Sequence, residues 1–402
     1  MPKIPLSQEL HIKNFLKCGL PKVDDYKCFG YYEIPKPPSA YQIPLSKQYN
    51  KISPSYLLYD ASRALGTVSF LVVKDDSLVY EKYNFGFERS SKINSFSMAK
   101  TITSLLVGIA IDKGYIESLD DKVYKYLPQF NKGKDTLLTI RHLASMASGL
   151  NWNENFENPL SDVVKAYYGY SLDTLINKTH VVKYPGQKWK YQCGNFILLG
   201  LIIEKATGMS LIDFAYKFLW EPLGANFSAY WGADTANNIV RTFCCFYASP
   251  YDFALLGLLL LHKGYFRNRQ IVPKWYIEEM MRPDIKLRYK FLKKNDFYSL
   301  GLWTYPKKKY NAHYFVGGYG QYIFILPEEN AVIVRIGRFL NQLGIYRLAP
   351  DVQLYLKLGY DIFKKYEKLS ENYIEKLAVK FKTNLFFMST HNPKTKSRLK
   401  LF

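Results

Sequence analysis

A serine and a lysine three residues apart, Ser97 and Lys100, head the run Thr101-Ile-Thr-Ser-Leu-Leu-Val-Gly-Ile-Ala-Ile-Asp112, which is mostly apolar and free of proline. As a buried helix, this run puts Ser97 in its first turn and Lys100 one turn further on, on the same face. An amine held beside a hydroxyl in a dry site near a helix N-terminus can turn that serine into a nucleophile. Ser-x-x-Lys is short, and both residues are common, so the pair carries weight only with partners: a proton relay, oxyanion donors and substrate walls. Tyr191 opens Tyr191-Gln-Cys-Gly-Asn195 ahead of an apolar helix and is the candidate relay. Phe315-Val-Gly-Gly-Tyr-Gly-Gln-Tyr322 is glycine-dense where a strand begins. Bare backbone N–H groups there can face an oxyanion.

The elements that must position these groups are legible in outline. Gly66–Lys74, the turn Asp75-Asp-Ser77 and Leu78–Tyr83 read as a β-hairpin. A mainly helical and loop-rich middle follows, with helices expected at Leu137–Met146, Asn195–Thr207 (ended by Gly208) and Ser210–Leu219. Strand signals return at Leu300–Tyr305, Ala312–Gly317, Gln321–Leu326 and Ala331–Gly337, the last two split by the turn Pro327-Glu-Glu-Asn330. Helices are expected around Asp351–Lys364 and Glu371–Phe381, then an unpacked basic tail from Ser389 to Phe402. With strands near both ends, the expected fold is α/β of the α+β type: one antiparallel sheet built from both chain ends, flanked by helices, with an inserted mainly helical domain. The expected division is an extended lead-in (1–55), a sheet domain (56–121 with 243–366), the helical insert (122–242) and a C-terminal helix and tail (367–402). A cleft between sheet and insert would hold the site.

Composition narrows the function classes. In 402 residues, 48% hydrophobic and 17% aromatic content is globular and excludes a mainly disordered chain. The formal charge of +21 comes from lysines spread over the whole length, without a zinc-finger, RRM-like or helix-turn-helix signature. It reads as a solvated basic surface, and no nucleic-acid partner is expected. Five irregularly spaced cysteines suggest neither a disulfide framework nor a metal knuckle; adjacent Cys244 and Cys245 read as packed core residues not bonded to each other. The longest apolar runs, Phe196–Ile203 and Phe253–Leu261, fall short of a bilayer span. The first thirty residues lack a signal-peptide h-region, so the sequence as given points to a cytoplasmic location, and to a periplasmic one if its start is truncated. The oligomeric expectation is a monomer or homodimer.

Over roughly Tyr56 to Leu348 the chain resembles the β-lactamase-related serine hydrolases, which include class C β-lactamases, DD-peptidases and serine esterases. The resemblance rests on Ser97-Met-Ala-Lys100, Leu138-Thr-Ile-Arg-His-Leu-Ala-Ser-Met-Ala-Ser-Gly-Leu150, Tyr184-Pro-Gly186 before Tyr191, the helix Leu199–Gly208, Tyr251-Asp-Phe-Ala254 with Gly264, and the strand pair around Pro327. Two departures set the branch. The family's Tyr-x-Asn is Tyr191-Gln192-Cys193 here, and cysteine lacks the amide that binds a β-lactam side chain. The Lys-Thr-Gly strand of penicillin-recognising members is Phe315-Val316-Gly317, without the cation that holds a carboxylate; Arg335 or Arg338 is a weak substitute. Both departures resemble the 6-aminohexanoate-dimer hydrolase branch, which cleaves linear amides and esters.

The resemblance implies that Ser97 Oγ attacks a carbonyl, that Lys100 and Tyr191 share the proton, and that the backbone N–H groups of Ser97 and Gly318, beside Gly317, hold the oxyanion. A lysine near Tyr191 would favour its phenolate and let it act as a base. Cys193 reads as a small residue lining the site, Trp152 as a wall, and Tyr170 of Tyr167-Tyr168-Gly169-Tyr170 as either a lid or packing. His313 and Tyr314 read as strand residues. The expected substrate is a small linear amide or ester, with no metal or cofactor; the alternatives are a β-lactamase or DD-peptidase-type enzyme acting on β-lactams or peptidoglycan stems, and a non-catalytic binding relative.

Overall fold

The computed structural model describes residues 6–169, 171–289, 293–306, 310–338 and 351–369. Its centre is a seven-stranded sheet in the order Tyr298–Ser299, Leu302–Thr304, His313–Gly317, Gln321–Leu326, Ala331–Gly337, Thr67–Lys74, Ser77–Tyr83, antiparallel throughout. The late strand Ala331–Gly337 pairs along its length with the early strand Thr67–Lys74, so both ends of the chain build one sheet. Every residue of both strands is buried. Strands covered on both faces are continuous hydrophobic runs and not alternating ones, which is how Val68–Val73 and Val332–Val334 read. The hairpin turn places Asp75 and Asp76 at φ 49° and 56°, the left-handed pair that matches strand twist.

Two helices cover the two faces. Neighbouring strand residues point to opposite sides. A Cβ added at Gly257, in the helix Pro250–Leu261, would lie 2.4 Å from Val332 Cγ1; one added at Gly359 would lie 2.3 Å from Ile333 Cδ1. The helix Pro250–Leu261 and the helix over 351–369 therefore press on opposite faces, each through a glycine that lets it approach closely.

The helix Met98–Asp112 is buried from Met98 to Ala110. It has no polar stripe because it is wrapped on all sides, including by Tyr276, which would meet a Cβ on Gly108 at 2.6 Å. The helix Gly194–Thr207 ends at Gly208 with φ 68°, the expected left-handed stop. The expected helix Leu137–Met146 forms only over Ile140–Ala144, started by the capping box of Thr139 and His142.

Residues 6–55 are more structured than an extended lead-in. They hold a helix (Leu6–Cys18), a 3-10 turn (Asp25–Cys28) and a strand (Tyr31–Ile34). That strand joins a second sheet in the order Tyr31–Ile34, Ala229–Gly232, Phe246–Ala248, Ile93–Asn94. Cys244 and Cys245 form a vicinal disulfide, contrary to the expectation of two unbonded thiols; Cys245 adopts φ 63° at the turn that brings the pair together. The expected helix Glu371–Phe381 and the basic tail lie outside the described residues. Among the described residues no single helix is long and apolar enough to cross a membrane, and no group of three or more His, Cys, Asp or Glu could hold a metal ion.

Candidate active site

Ser97 stands at the N-cap of the helix Met98–Asp112, one residue before the first turn the spacing suggested. The residue before it, Phe96, has φ 44°, a left-handed conformation that costs a bulky L-residue roughly 1–2 kcal/mol. Lys100 is 2% exposed, and its Nζ donates to Ser97 Oγ at 3.0 Å and to the Phe243 carbonyl at 2.8 Å. The same nitrogen sits 4.8 Å from the centre of the Tyr191 ring. Ser97 is also close enough to the Tyr191 phenol to lower its proton affinity. Serine, lysine and tyrosine thus gather around the Lys100 ammonium nitrogen, from two helix starts 94 positions apart in sequence numbering.

One expectation about Tyr191 is reversed. Burial holds its phenol well above the ordinary value, with Cys193 and then Glu154 adding to the rise; Ser97 opposes it only in part. The tyrosine is therefore kept protonated, not favoured as phenolate.

Glu154 is the residue that sequence reading missed. Its Oε2 accepts the Cys193 N–H at 2.7 Å and its Oε1 accepts the Cys193 thiol at 2.7 Å. Burial raises its proton affinity above the usual carboxylate range, while the charge of Lys100 and the bonds from Cys193 oppose the rise. The Cys193 thiol is itself pushed well up by burial and by the Glu154 charge, so it is a neutral donor and not a second nucleophile. No local signal marks Glu154: it follows Trp152 in a polar loop and reaches a partner 39 positions on.

Trp152 is buried, and a Cβ on Gly194 would lie 2.5 Å from its ring; its carbonyl accepts the Gln192 amide at 2.9 Å. It therefore underlies the Gln192–Gly194 turn. Around Tyr191 stand Trp189 and Trp303, with ring centres 6.4 and 6.3 Å away, backed by Phe297, Tyr298 and Tyr289. This aromatic wall was not anticipated from sequence. Tyr170 lies outside the described residues; its neighbours Tyr167 and Tyr168 are buried packing residues.

Gly317 and Gly318 lie against the Ser95–Ser97 turn. A Cβ on Gly317 would fall 2.2 Å from the Ser95 carbonyl oxygen, and one on Gly318 would rest 3.6 Å from Phe96 Cγ. Tyr319, next in line, stacks on Phe96 at 4.8 Å and 19°. The edge of the strand His313–Gly317 thus runs directly beside Ser95–Phe96. Arg335 cannot replace the missing cation. It is 1% exposed, and its guanidinium donates to the carbonyls of Tyr319 (2.9 Å), Gly320 (2.7 Å) and Leu65 (2.7 Å) and to Thr67 Oγ1 (3.3 Å). Arg338 covers the Phe85 ring, with 3.9 Å from its guanidinium carbon to the ring centre. His313 and Tyr314 are strand residues, and the His313 ring pairs with Thr304 at 3.0 Å.

A sheet flanked by helices, with a buried Ser-x-x-Lys pair at a helix start, is the arrangement of the serine hydrolases related to β-lactamases. The chain belongs to the Beta-lactamase family, whose family model matches residues 58–338. Among similar proteins, penicillin-binding protein 4* of Bacillus subtilis is 30% identical over 179 residues, covering 40% of this chain and 37% of that protein. The 6-aminohexanoate-dimer hydrolase of Paenarthrobacter ureafaciens is 22% identical over 296 residues, covering 67% of this chain and 72% of that enzyme. Among solved structures, a Bacillus anthracis protein provisionally named 6-aminohexanoate-dimer hydrolase superposes with a TM-score of 0.74 at 20% identity, over 86% of this chain and 94% of that one.

Proposed function

We propose that the chain is a serine amidase or esterase acting on small linear substrates through an acyl-enzyme on Ser97. The observation that carries this reading is the 3.0 Å contact between Lys100 Nζ and Ser97 Oγ, with the Tyr191 ring centre 4.8 Å from the same nitrogen. In its amine form Lys100 takes the Ser97 proton as Oγ attacks the substrate carbonyl. Tyr191, kept protonated by burial, hands its proton to the departing amine or alkoxide and regains one from the Lys100 ammonium, which returns Lys100 to its amine form for deacylation. The tetrahedral oxyanion is held by the backbone N–H groups of Ser97 and Gly318. Water then attacks the acyl carbonyl along the same relay and frees the acid.

Substrate choice follows from what surrounds these groups. Phe315 and Val316 replace the cation that would hold a β-lactam or stem-peptide carboxylate, and Arg335 is fully committed to backbone carbonyls. The wall of Trp189, Trp303 and Phe297 suits an apolar acyl or leaving group. The likeness to 6-aminohexanoate-dimer hydrolases supports a linear amide.

The test is intact-protein mass after exposure to a fluorophosphonate, comparing wild type with Ser97→Ala and Lys100→Ala. A single adduct on wild type, absent from both variants, is expected. A folded wild type that stays unmodified would overturn the reading. Linear amides, p-nitrophenyl esters and nitrocefin then sort the substrate class; preferential nitrocefin turnover would contradict the linear-substrate assignment.

A further inference from the structure

The residue next to the candidate nucleophile is held by groups that trace back to a carboxylate outside the family-matched region. Asp25 lies ahead of residue 58, in the turn Asp25–Cys28, and is 5% exposed. Its two oxygens accept four hydrogen bonds. Oδ2 takes the Lys22 N–H at 3.1 Å and the Tyr167 hydroxyl at 2.7 Å; Oδ1 takes the Tyr247 hydroxyl at 2.8 Å and the Asn94 side-chain N–H at 3.1 Å. Tyr167 comes from the helix Asp162–Tyr168, while Asn94 and Tyr247 face each other across paired strands.

A carboxylate only accepts, so each group turned toward it must donate. This determines which way the Asn94 amide points: nitrogen toward Asp25, oxygen away. The oxygen accepts the Phe96 N–H at 2.8 Å. Phe96 is the left-handed residue of the nucleophile turn, clamped on its other side by its stack on Tyr319, and Ser97 follows it directly. The same segment also binds the backbone, since the Val23 carbonyl accepts the Asn94 N–H at 2.7 Å.

We propose that Asp25 is a positioning residue of the active site: by fixing the Asn94 amide it locks the Phe96 turn that presents Ser97, which makes the N-terminal segment part of the catalytic machinery. The inference rests on the reading of Ser97 as nucleophile. Asp25 touches no substrate. It acts through one amide whose two ends carry different instructions, donate to the carboxylate and accept from the backbone. A reversed amide would set an N–H against the Phe96 N–H and release the turn.

The test uses the full chain with a saturable fluorophosphonate series, separating the maximal acylation rate from the half-saturating concentration. Asp25→Asn is nearly isosteric but introduces a donor facing Asn94, so the amide can reverse. The maximal rate is expected to fall at least tenfold, with half-saturation within twofold of wild type. Combining Asp25→Asn with Asn94→Asp exchanges the two groups: the carboxylate at 94 still accepts from Phe96 and from the new amide at 25, and the hydroxyl of Tyr247 can rotate to accept. This swap is expected to bring the rate back to within threefold of wild type. A role in folding alone would lower thermal stability without this pattern in the rate. A folded Asp25→Asn protein with wild-type rate overturns the inference, as does a swap that regains thermal stability without regaining rate. Where the charge variants do not fold, Tyr247→Phe removes a single hydroxyl donor; a two- to fivefold fall in maximal rate is expected, and an unchanged rate overturns the inference. A wild type that does not react overturns the nucleophile reading, and this inference with it.

Discussion

Gly317 gives the most exacting test of the oxyanion arrangement, because its backbone is ordinary and only its surroundings forbid a side chain. Its φ of −130° and ψ of 158° suit any residue. A methyl group there would nevertheless lie 2.2 Å from the Ser95 carbonyl oxygen, where contact begins at about 3.5 Å. The strand edge must therefore withdraw from the nucleophile turn by roughly 1 Å. A donor 2.7–3.1 Å from an oxyanion loses most of its bond over such a distance, and removal of one such donor costs on the order of 10²–10³ in rate, about 3–4 kcal/mol. Gly317→Ala is thus expected to slow fluorophosphonate acylation by about a hundredfold or more. Overpacking is expected to lower folding stability by about 1–3 kcal/mol. Gly318→Ala is the control: its methyl group meets Phe96 Cγ at 3.6 Å, ordinary contact, so its rate should stay within about threefold of wild type. Acylation rates at 25 °C, paired with urea unfolding midpoints, decide the matter. A Gly317→Ala protein acylating within threefold of wild type, or equal losses in the two variants, would refute the placement of the donor at Gly318.

Three further outcomes are expected. Glu154→Gln removes a carboxylate beside Cys193 and the relay, so the acid limb of the acylation-rate profile should move to lower pH; an unmoved limb would separate Glu154 from the relay. His313 is held neutral by burial, with its pKa lowered to about 4 against about 6.5 when unfolded. The unfolded chain therefore takes up this proton first as pH falls, and stability should drop by up to about 3 kcal/mol between pH 6.5 and 4, a slope that His313→Gln flattens in urea titrations at several pH values. Arg335→Met strips the donor from three buried carbonyls at roughly 1–3 kcal/mol each, so a large fall in thermal midpoint is expected together with slower acylation; an unchanged midpoint would show that these bonds contribute nothing net.

Local and nearest-neighbour features were the ones legible in the sequence. Ser97 and Lys100 lie one helical turn apart, so a single apolar run was enough to bring them together. The sheet was readable because Val68–Val73 and Ala331–Gly337 are long, buried and β-branched. Tyr191 could be picked out by its place before the helix Gly194–Thr207, but the direction of its pKa shift could not. That direction depends on burial and on Glu154, which reaches the site from a loop with no periodicity. Asp25 was invisible for the same reason: its four donors come from residues 22, 94, 167 and 247, and only the folded chain brings them together. The helix Leu6–Cys18 sat in a proline- and lysine-rich stretch whose weak amphipathic pattern gave little to read.

The pairing of Ala331–Gly337 with Thr67–Lys74 also sets a timetable for synthesis. The early strand leaves the ribosome about 260 residues before its partner, an interval of roughly 15–50 s at about 5–20 residues per second. Throughout that interval the hairpin Thr67–Tyr83 can form, yet one flank of its most apolar strand stays open to any other nascent strand. Chains that terminate before residue 331 never acquire the closing strand, and such truncated products are expected to need chaperone capture or to aggregate.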